Sequence, residues 1–237
     1  MDHGESGAQP AIQAPIVPAL DADLREKVRL GLIAAAPVAI APAGAPLIAE
    51  MDQLAASLAA EHAGRQPGQI PGLAPARDLY RAFGVDPTHT RPSSESLLRR
   101  ILQGKPLPRI LNAVDVCTLC SLSFLLSIGL YDAEKIRGPV TLRRGRPGES
   151  YPGIRKDDVH LEGRLTLADA EGPFGNPTSD SLRTSVTDGT RSLWMVIFAP
   201  ASFPEADLAT HARFGAAAIE RHLAPAGGTV RTHVSVI

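Results

Sequence analysis

The sequence predicts one α+β domain in which mixed or antiparallel strands pack with about four helices. Short strands are predicted in the centre and at the end of the chain, mixed with segments whose apolar residues repeat at helical spacing. The chain has 237 residues, of which 44% are hydrophobic, and this is enough to bury a sizeable core. Only 4% are aromatic, so the core must consist mainly of Leu, Val, Ile and Ala.

The sequence of residues 1–103 predicts a tail, a strand region and three helices. Residues 1–20 are rich in Ala and Pro and are expected to form a flexible tail before a single domain at 21–237. The apolar run at 27–40 contains a proline and predicts one or two buried strands. The stretch at 45–62 predicts an amphipathic helix. Two shorter helices are predicted at 76–84 and 94–103.

The second part predicts one buried helix, several short strands and a late amphipathic helix. The apolar stretch at 110–129 is ambiguous between helix and strand, and its length favours a helix at 113–126. The remaining predictions are two strands around a turn at 138–154, a strand and a Gly/Pro loop at 164–180, a buried strand at 191–200, a helix at 205–224 and a strand at 229–237.

The start of the third helix raises the first functional question. Residues 86–108, "DPTHTRPSSESLLRRILQGKPLP", place an arginine and several hydroxyls directly before the helix. Ser93 or Ser94 is predicted to be its N-cap, and Gly104 ends it. Capping does not explain why Arg91 and so many hydroxyls gather here. The stretch therefore either only starts a helix or also places polar groups beside a ligand.

The two cysteines, Cys117 and Cys120, are spaced as C-x-x-C. This spacing occurs in redox pairs and in half of a metal site, but the chain has no second cysteine pair. The flanking residues are apolar, which favours buried and inert thiols. We therefore expect no metal site and no cofactor.

The charge is distributed unevenly although the net charge is −1. Residues 1–76 carry 4 basic and 8 acidic side chains, residues 77–156 carry 14 and 7, and residues 157–237 carry 6 and 10. The middle third, at +7, is therefore the predicted contact area for a polyanion. The alternative is a solvated arginine-rich surface. No nucleic-acid motif with interleaved aromatics accompanies it.

The loop at 174–190, "FGNPTSDSLRTSVTDGT", is the densest polar segment of the chain. Its hydroxyls either satisfy the backbone of the loop itself or orient a ligand. In the second reading, Gly175 lets the backbone approach the ligand and Arg183 contacts it. The segment contains no Gly-x-Ser-x-Gly elbow and no Walker loop.

The expected compartment is the cytoplasm. No apolar run reaches the roughly 20 residues that a membrane helix needs. The opening residues, "MDHGESGAQP", are acidic and polar and do not resemble a secretory signal. We expect neither a membrane nor DNA as a partner.

Four separated segments resemble a known family. They are "RDLYRAFGVDPTHTRPSSESLLRRILQGKPLP", "NAVDVCTLCSLSFLLSIGLYDAEKIRG", "GESY" and "DAEGPFGNPTSDSLRTSVTDGTR". They are similar to the tRNA-editing domain of the phenylalanyl-tRNA synthetase beta subunit, and more closely to free-standing forms of that B-three/B-four module. The resemblance extends over about residues 25–225. It implies an α+β module with a central cleft, in which polar groups position a water at an aminoacyl ester without a metal or a covalent nucleophile.

The resemblance also implies a set of site residues around that cleft. Thr184, Thr187 and Thr190 are the candidates for holding the water, and Arg91 or Arg183 for a phosphate or carboxylate. Asp115 and Asp180 are the candidates for the substrate amino group. The other predicted binding residues are Ser93, Ser94, Glu95, Asn112, Thr118, Ser121 and Gly175. Thr118 departs from the family, because free-standing relatives usually carry Asn there.

The sequence and the resemblance together leave two hypotheses for the function. The first is a free-standing editing-like protein that binds or hydrolyses a misacylated aminoacyl-tRNA. The second is a module that binds an amino acid or a derivative without RNA. Aminoacylation is not expected, because the segments carry no resemblance to the catalytic subunit of the synthetase.

Overall fold

The computed structural model describes residues 16–154 and 157–237. Most of residues 1–20, the predicted tail, lies outside this range, whereas Ala19 and Leu20 pair with a strand of the domain. Within the described residues the helices are α1 (Ala45–Glu61), α2 (Ala74–Ala82), α3 (Ser93–Leu102), α4 (Asn112–Phe124) and α5 (Glu205–His222). The strands are β1 (Ala19–Leu20), β2 (Val28–Ala36), β3 (Ser127–Asp132), β4 (Thr141–Arg144), β5 (Ser150–Pro152), β6 (Asp158–His160), β7 (Leu165–Asp169), β8 (Gly172–Gly175), β9 (Leu193–Pro200) and β10 (Arg231–Val236). The predicted α+β class is confirmed.

The central sheet has the order β10-β2-β9-β3, and all its neighbouring strands are antiparallel. β9 is buried along its whole length, because its sequence LWMVIFAP presents apolar side chains to both faces. Alternate residues therefore join different cores. Leu193, Met195 and Ile197 pack in the core beneath the helices, and Trp194 and Val196 pack in the second core.

The second sheet lies over the other face of the central sheet and has the order β1-β4-β7-β8. The strands predicted at 138–154 are present as β4 and β5, but they do not pair with each other. β4 pairs with β7, and β5 pairs with β6 in a separate ribbon. The strand predicted in 164–180 is β7, and part of the Gly/Pro loop predicted after it is also a strand, because β8 pairs with β7.

The helices pack on the first face of the central sheet. α5 approaches β2 closely at Gly215, where an added Cβ would lie 2.7 Å from the Ile33 Cδ1. No helix in the described part of the chain is both long and apolar enough to cross a membrane.

Helix α3 begins differently from the sequence prediction. Neither Ser93 nor Ser94 is the N-cap: the cap position is Pro92, and no side chain caps the helix. The prediction of a serine cap is wrong because the Ser94 hydroxyl is used elsewhere, donating to the Leu125 carbonyl at 3.1 Å. That contact attaches the start of α3 to the end of α4.

Helix α4 is buried on almost every side and leads directly into β3. Its C-cap, Leu125, has a left-handed backbone with φ of 54°. The Ser121 hydroxyl donates to the Leu126 carbonyl at 2.8 Å and helps to fix this turn. The chain reverses here, and the second half of β3, at Leu130 and Asp132, contacts the loop between β8 and β9.

Candidate functional site

A cavity of about 410 Å³ opens beside the first turns of α4. We call it the α4 cavity. Most of its lining is apolar, and it includes one carboxylate, one hydroxyl and one thiol. The lining residues are Ile110, Leu111, Val114, Cys117, Leu130, Ile154, Asp180, Ser185 and Val186. Its volume lies in the range of roughly 300–1,000 Å³ that is typical of small-ligand sites.

Four parts of the fold form the walls of the α4 cavity, one of them being Ile154 after β5. Val114 and Cys117 are three residues apart on α4 and so share one face of the helix. Leu130 comes from β3. Asp180 and Val186 come from the segment between β8 and β9, which crosses the opening.

Asp180 is the acidic residue among the described residues that line the cavity. Its Oδ2 accepts a hydrogen bond from the backbone N–H of Leu130 at 3.3 Å. Burial, and next the charge of Asp180, raise the pKa of the Tyr131 and Tyr151 phenols well above the usual range. The same carboxylate also raises the pKa of the Cys117 thiol, after burial and the neighbouring Cys120. The charge of Asp180 thus acts on groups around the cavity.

The Tyr131 phenol packs closely against the backbone of β3 at Gly129 and of β8 at Gly175. Its phenol is fully buried and packs edge-on against Phe174, with ring centroids 5.2 Å apart. A Cβ added at Gly129 or at Gly175 would overlap the Tyr131 hydroxyl oxygen. Gly175 therefore does permit a close approach of the backbone, but the group that approaches is this phenol.

Several predicted site residues on α3 and α4 make buried contacts within the protein. Ser94 and Ser121 donate to backbone carbonyls at the end of α4. Glu95 is buried and accepts two hydrogen bonds from Arg77, at 2.7 and 2.8 Å. Asn112 joins three segments, because its side chain bonds the backbone of residues 39, 41 and 222. All four side chains therefore stabilise the fold through contacts within the protein.

The remaining predicted residues on these helices differ in exposure. Arg91 is exposed and Ser93 is half-buried. Asp115 and Thr118 are buried. The Asp115 Oδ1 accepts from the Ile110 N–H at 3.1 Å, while burial raises the pKa of this carboxyl. Both residues follow lining residues of the α4 cavity directly in sequence.

The threonines of the 174–190 loop contact the protein backbone and Asp132. Thr190 donates to the Asp132 Oδ2 at 2.7 Å and accepts from the Thr187 N–H at 3.0 Å. Thr184 is fully buried, and its carbonyl accepts from the Asp132 N–H at 2.9 Å. Thr187 is exposed. The hydroxyl of Thr190 is thereby engaged in holding the loop to the end of β3.

Arg183 binds the β7–β8 hairpin. Its guanidinium donates to both carboxylate oxygens of Asp169, at 2.9 and 3.1 Å, and to Glu171 at 3.3 Å. It also lies over the Phe174 ring, 5.7 Å from the centroid. The Asp169 side chain has no exposed surface. This geometry is that of an arginine fixing a hairpin to a loop.

Asp180 is the predicted site residue that lines the α4 cavity in the described chain. The lining residues that the sequence did not single out are mostly apolar, among them Ile110, Val114 and Val186. For Val114 and Cys117, which lie on α4, the three-residue spacing was the available signal, because residues three and four apart share a helix face. The sequence favoured Cys117 as a buried, inert thiol, whereas in the structure it is half-buried and lines the cavity.

The cysteines are both free thiols. Burial raises the pKa of the Cys120 thiol to about 12, and the pKa of Cys117 is also raised. Neither is therefore activated as a thiolate near neutral pH. Within the part of the chain that the structure describes, no group of three or more His, Cys, Asp or Glu side chains is placed to hold a metal ion.

Comparison with known proteins agrees with the resemblance noted in the sequence. Residues 75–215 match the B3/4 domain family. A solved N-terminal fragment of the phenylalanyl-tRNA synthetase beta subunit from Pyrococcus horikoshii is similar in fold, with 13% identity and a TM-score of 0.42. The alignment covers 94% of this chain and 53% of that chain, so this chain spans about half the length of the fragment. A comparison with curated proteins found no match. The chain belongs to the B3/4 domain family.

Proposed function

We propose that this protein binds the aminoacyl end of a charged tRNA and holds the aminoacyl group in the α4 cavity. The observation that carries the proposal is a carboxylate, Asp180, in a cavity whose other walls are mainly apolar. An aminoacyl group attached to tRNA has an ammonium group and a side chain but no free carboxylate. A single acidic residue within an apolar lining is complementary to both parts.

The lining also indicates which amino acids are favoured. Six of the nine residues around the cavity are aliphatic, and the Ser185 hydroxyl donates to the Leu182 carbonyl at 2.8 Å. A polar substrate side chain would lose its bonds to water there without regaining equivalent ones. We therefore propose that the preferred aminoacyl group has an apolar side chain.

Binding has more support than hydrolysis in this chain. Hydrolysis of an aminoacyl ester requires a positioned water and donors for the developing oxyanion. Thr184 and Thr190, two of the candidates for that role, are fully buried, and Thr190 bonds Asp132. Hydrolysis, seen as release of the amino acid, is thus an additional activity to be measured beside binding.

A second candidate function is binding of a free amino acid or a derivative without RNA. The observation in its favour is that much of the basic central third is neutralised by the protein itself. Arg143, for example, bonds Glu149 through two hydrogen bonds at 2.6 and 2.8 Å. Arg144 pairs with Asp23. A free amino acid differs from an aminoacyl ester by its carboxylate, which Asp180 would repel.

The experiment compares Asp180→Asn with Asp188→Asn. Both remove one negative charge from the same loop, but Asp188 is exposed and outside the cavity lining. Binding and amino-acid release are measured with a panel of tRNAs charged with apolar and polar amino acids. Loss of a charged hydrogen bond costs roughly 1.5–3 kcal/mol, so Asp180→Asn should weaken binding of charged tRNA about 10- to 100-fold.

The control variant should bind as the unmodified protein does. Equal binding by the two variants would contradict the placement of the ammonium group at Asp180. Tighter binding of free amino acids than of charged tRNAs would favour the second candidate.

A further inference from the structure

A groove lies along the surface between the end of α1, the end of α3 and the chain that follows α3. Two adjoining depressions of about 580 and 410 Å³ form it, and Ala59, Ile101 and Gly104 line both of them. We call it the basic groove, because its charged lining residues are Arg65, Arg99, Lys105, Arg109 and a single acid, Asp52. It is distinct from the α4 cavity.

The basic groove contains positive charge that the protein does not neutralise. Seven of the basic residues at 77–156 have a carboxylate partner within 4.0 Å: Arg77, Arg81, Arg109, Lys135, Arg137, Arg143 and Arg144. Considering only described residues, Arg65, Arg99 and Lys105 have no such partner. Two of the five described unpaired basic residues at 77–156, Arg99 and Lys105, line this groove, and Arg65 from the first third lines it with them.

The helix ends do not account for this arrangement. Arg99 lies in the last turn of α3, where a cation is favoured by the helix dipole alone. Arg65 and Lys105 lie outside both helices and are exposed. Three unpaired cations bordering one concave surface repel one another in the free protein, and an anion in the groove would relieve that repulsion.

The lining also limits what kind of contact the groove makes. None of its described residues is aromatic: apart from the charged groups it consists of Ala, Gly, Gln, Pro, Ile and Leu. Stacking of bases on aromatic rings is thus not provided. Cations without aromatic platforms bind phosphates, and such contacts carry no base-sequence information.

We propose that the basic groove binds the phosphate backbone of RNA whose aminoacyl end lies in the α4 cavity. The position of the groove supports this pairing, because Arg109 lines the groove and the next residue, Ile110, lines the cavity. Consecutive Cα atoms are only about 3.8 Å apart, so the linings of the groove and the cavity meet at this point of the chain. The inference rests on the proposed function and adds the surface that would contact the RNA.

The test uses uncharged tRNA, so that the aminoacyl group plays no part. The triple variant Arg65→Gln, Arg99→Gln and Lys105→Gln removes the unpaired charges of the groove. The matched control, Arg25→Gln, Arg146→Gln and Arg213→Gln, removes the same charge from exposed residues elsewhere. Fluorescence anisotropy over a salt series gives the affinity and its salt slope, and melting temperatures verify that both variants fold.

The groove variant should bind uncharged tRNA at least tenfold more weakly at low salt. Its salt slope should fall by about 2–3, since each lost phosphate contact removes roughly 0.7–0.9. The affinity of the control variant for uncharged tRNA should stay within about threefold of that of the unmodified protein. Exposed charges farther than about 10 Å from the bound RNA are screened. Poly-U and poly-A oligonucleotides should bind the unmodified protein with similar affinity.

Four results would overturn the inference: a groove variant that binds normally, a control that loses as much, a strong base preference, or binding of inorganic phosphate without RNA. The proposed function fails separately. If Asp180→Asn leaves discrimination between charged and uncharged tRNA unchanged while the groove variant loses binding, the groove assignment stands and the cavity assignment does not.

Discussion

Replacing Arg183 by Ala separates a structural arginine from a ligand-binding one. In the structure this change removes two hydrogen bonds to Asp169 and leaves that carboxylate, whose side chain has no exposed surface, without its guanidinium. Breaking a buried ion pair from one side costs about 3–5 kcal/mol. The Arg183 side chain is 28% exposed, so we expect a cost below that range, about 2–3 kcal/mol. For a domain of this size, that lowers Tm by about 5–10 °C.

The assay is thermal unfolding of Arg183→Ala beside Arg213→Ala, which removes an exposed arginine of α5. A double-mutant cycle with Asp169→Asn measures the coupling directly. The control should change the unfolding free energy by no more than about 0.5 kcal/mol. An Arg183→Ala protein with an unchanged Tm and lost tRNA binding would refute this reasoning. It would instead restore the role that the sequence suggested.

Two further predictions concern stability. Gly175→Ala should destabilise the protein by about 1–3 kcal/mol, as is typical of overpacking, because the new methyl group overlaps the Tyr131 hydroxyl. In the same thermal unfolding experiment, Gly189→Ala should be almost neutral, because the nearest atom to its new methyl group lies at 3.6 Å. Burial raises the pKa of Cys120 to about 12, so the unfolded chain loses this proton first and the unfolding free energy should fall between about pH 9 and 12. Chemical denaturation at several pH values should show a shallower fall in Cys120→Ala; an identical fall in both proteins would contradict the assignment to this thiol.

The central strand shows how much of the fold is predictable from sequence. LWMVIFAP is apolar at every position, and only a strand covered on both faces uses such a run. It is β9, which is buried throughout. The partners of β4 and β5 were not predictable in the same way. A Gly/Pro turn between two strands suggests a hairpin, but long-range packing pairs β4 with β7 instead.

The hydroxyl-rich loop shows where local sequence is insufficient. A threonine that binds a ligand and one that holds its own loop look identical in sequence. The deciding group for Thr190 is Asp132, 58 residues earlier in the chain. For Arg183 it is Asp169, at the end of β7 in a hairpin whose second strand was predicted as a loop. Such partners become visible only when the tertiary contacts are known.

The α4 cavity was hidden for the opposite reason. Most of its lining is aliphatic, and residues such as Val114 and Val186 look like ordinary core positions. They line a cavity because the loop bearing Asp180 crosses in front of α4 without filling the space. The family resemblance did select Asp180 as a candidate for the substrate amino group, and that residue lies at the cavity.

The proposed binding of charged tRNA depends most on a contact between the ammonium group of the aminoacyl group and Asp180. The most direct measurement is the Kd of tRNA charged with an apolar amino acid, before and after N-acetylation, for the unmodified protein and for Asp180→Asn. Acetylation removes the positive charge and keeps the side chain. The account predicts roughly 10- to 100-fold weaker binding of the acetylated form by the unmodified protein, and a much smaller difference for Asp180→Asn. Equal affinity of the unmodified protein for both forms would contradict it.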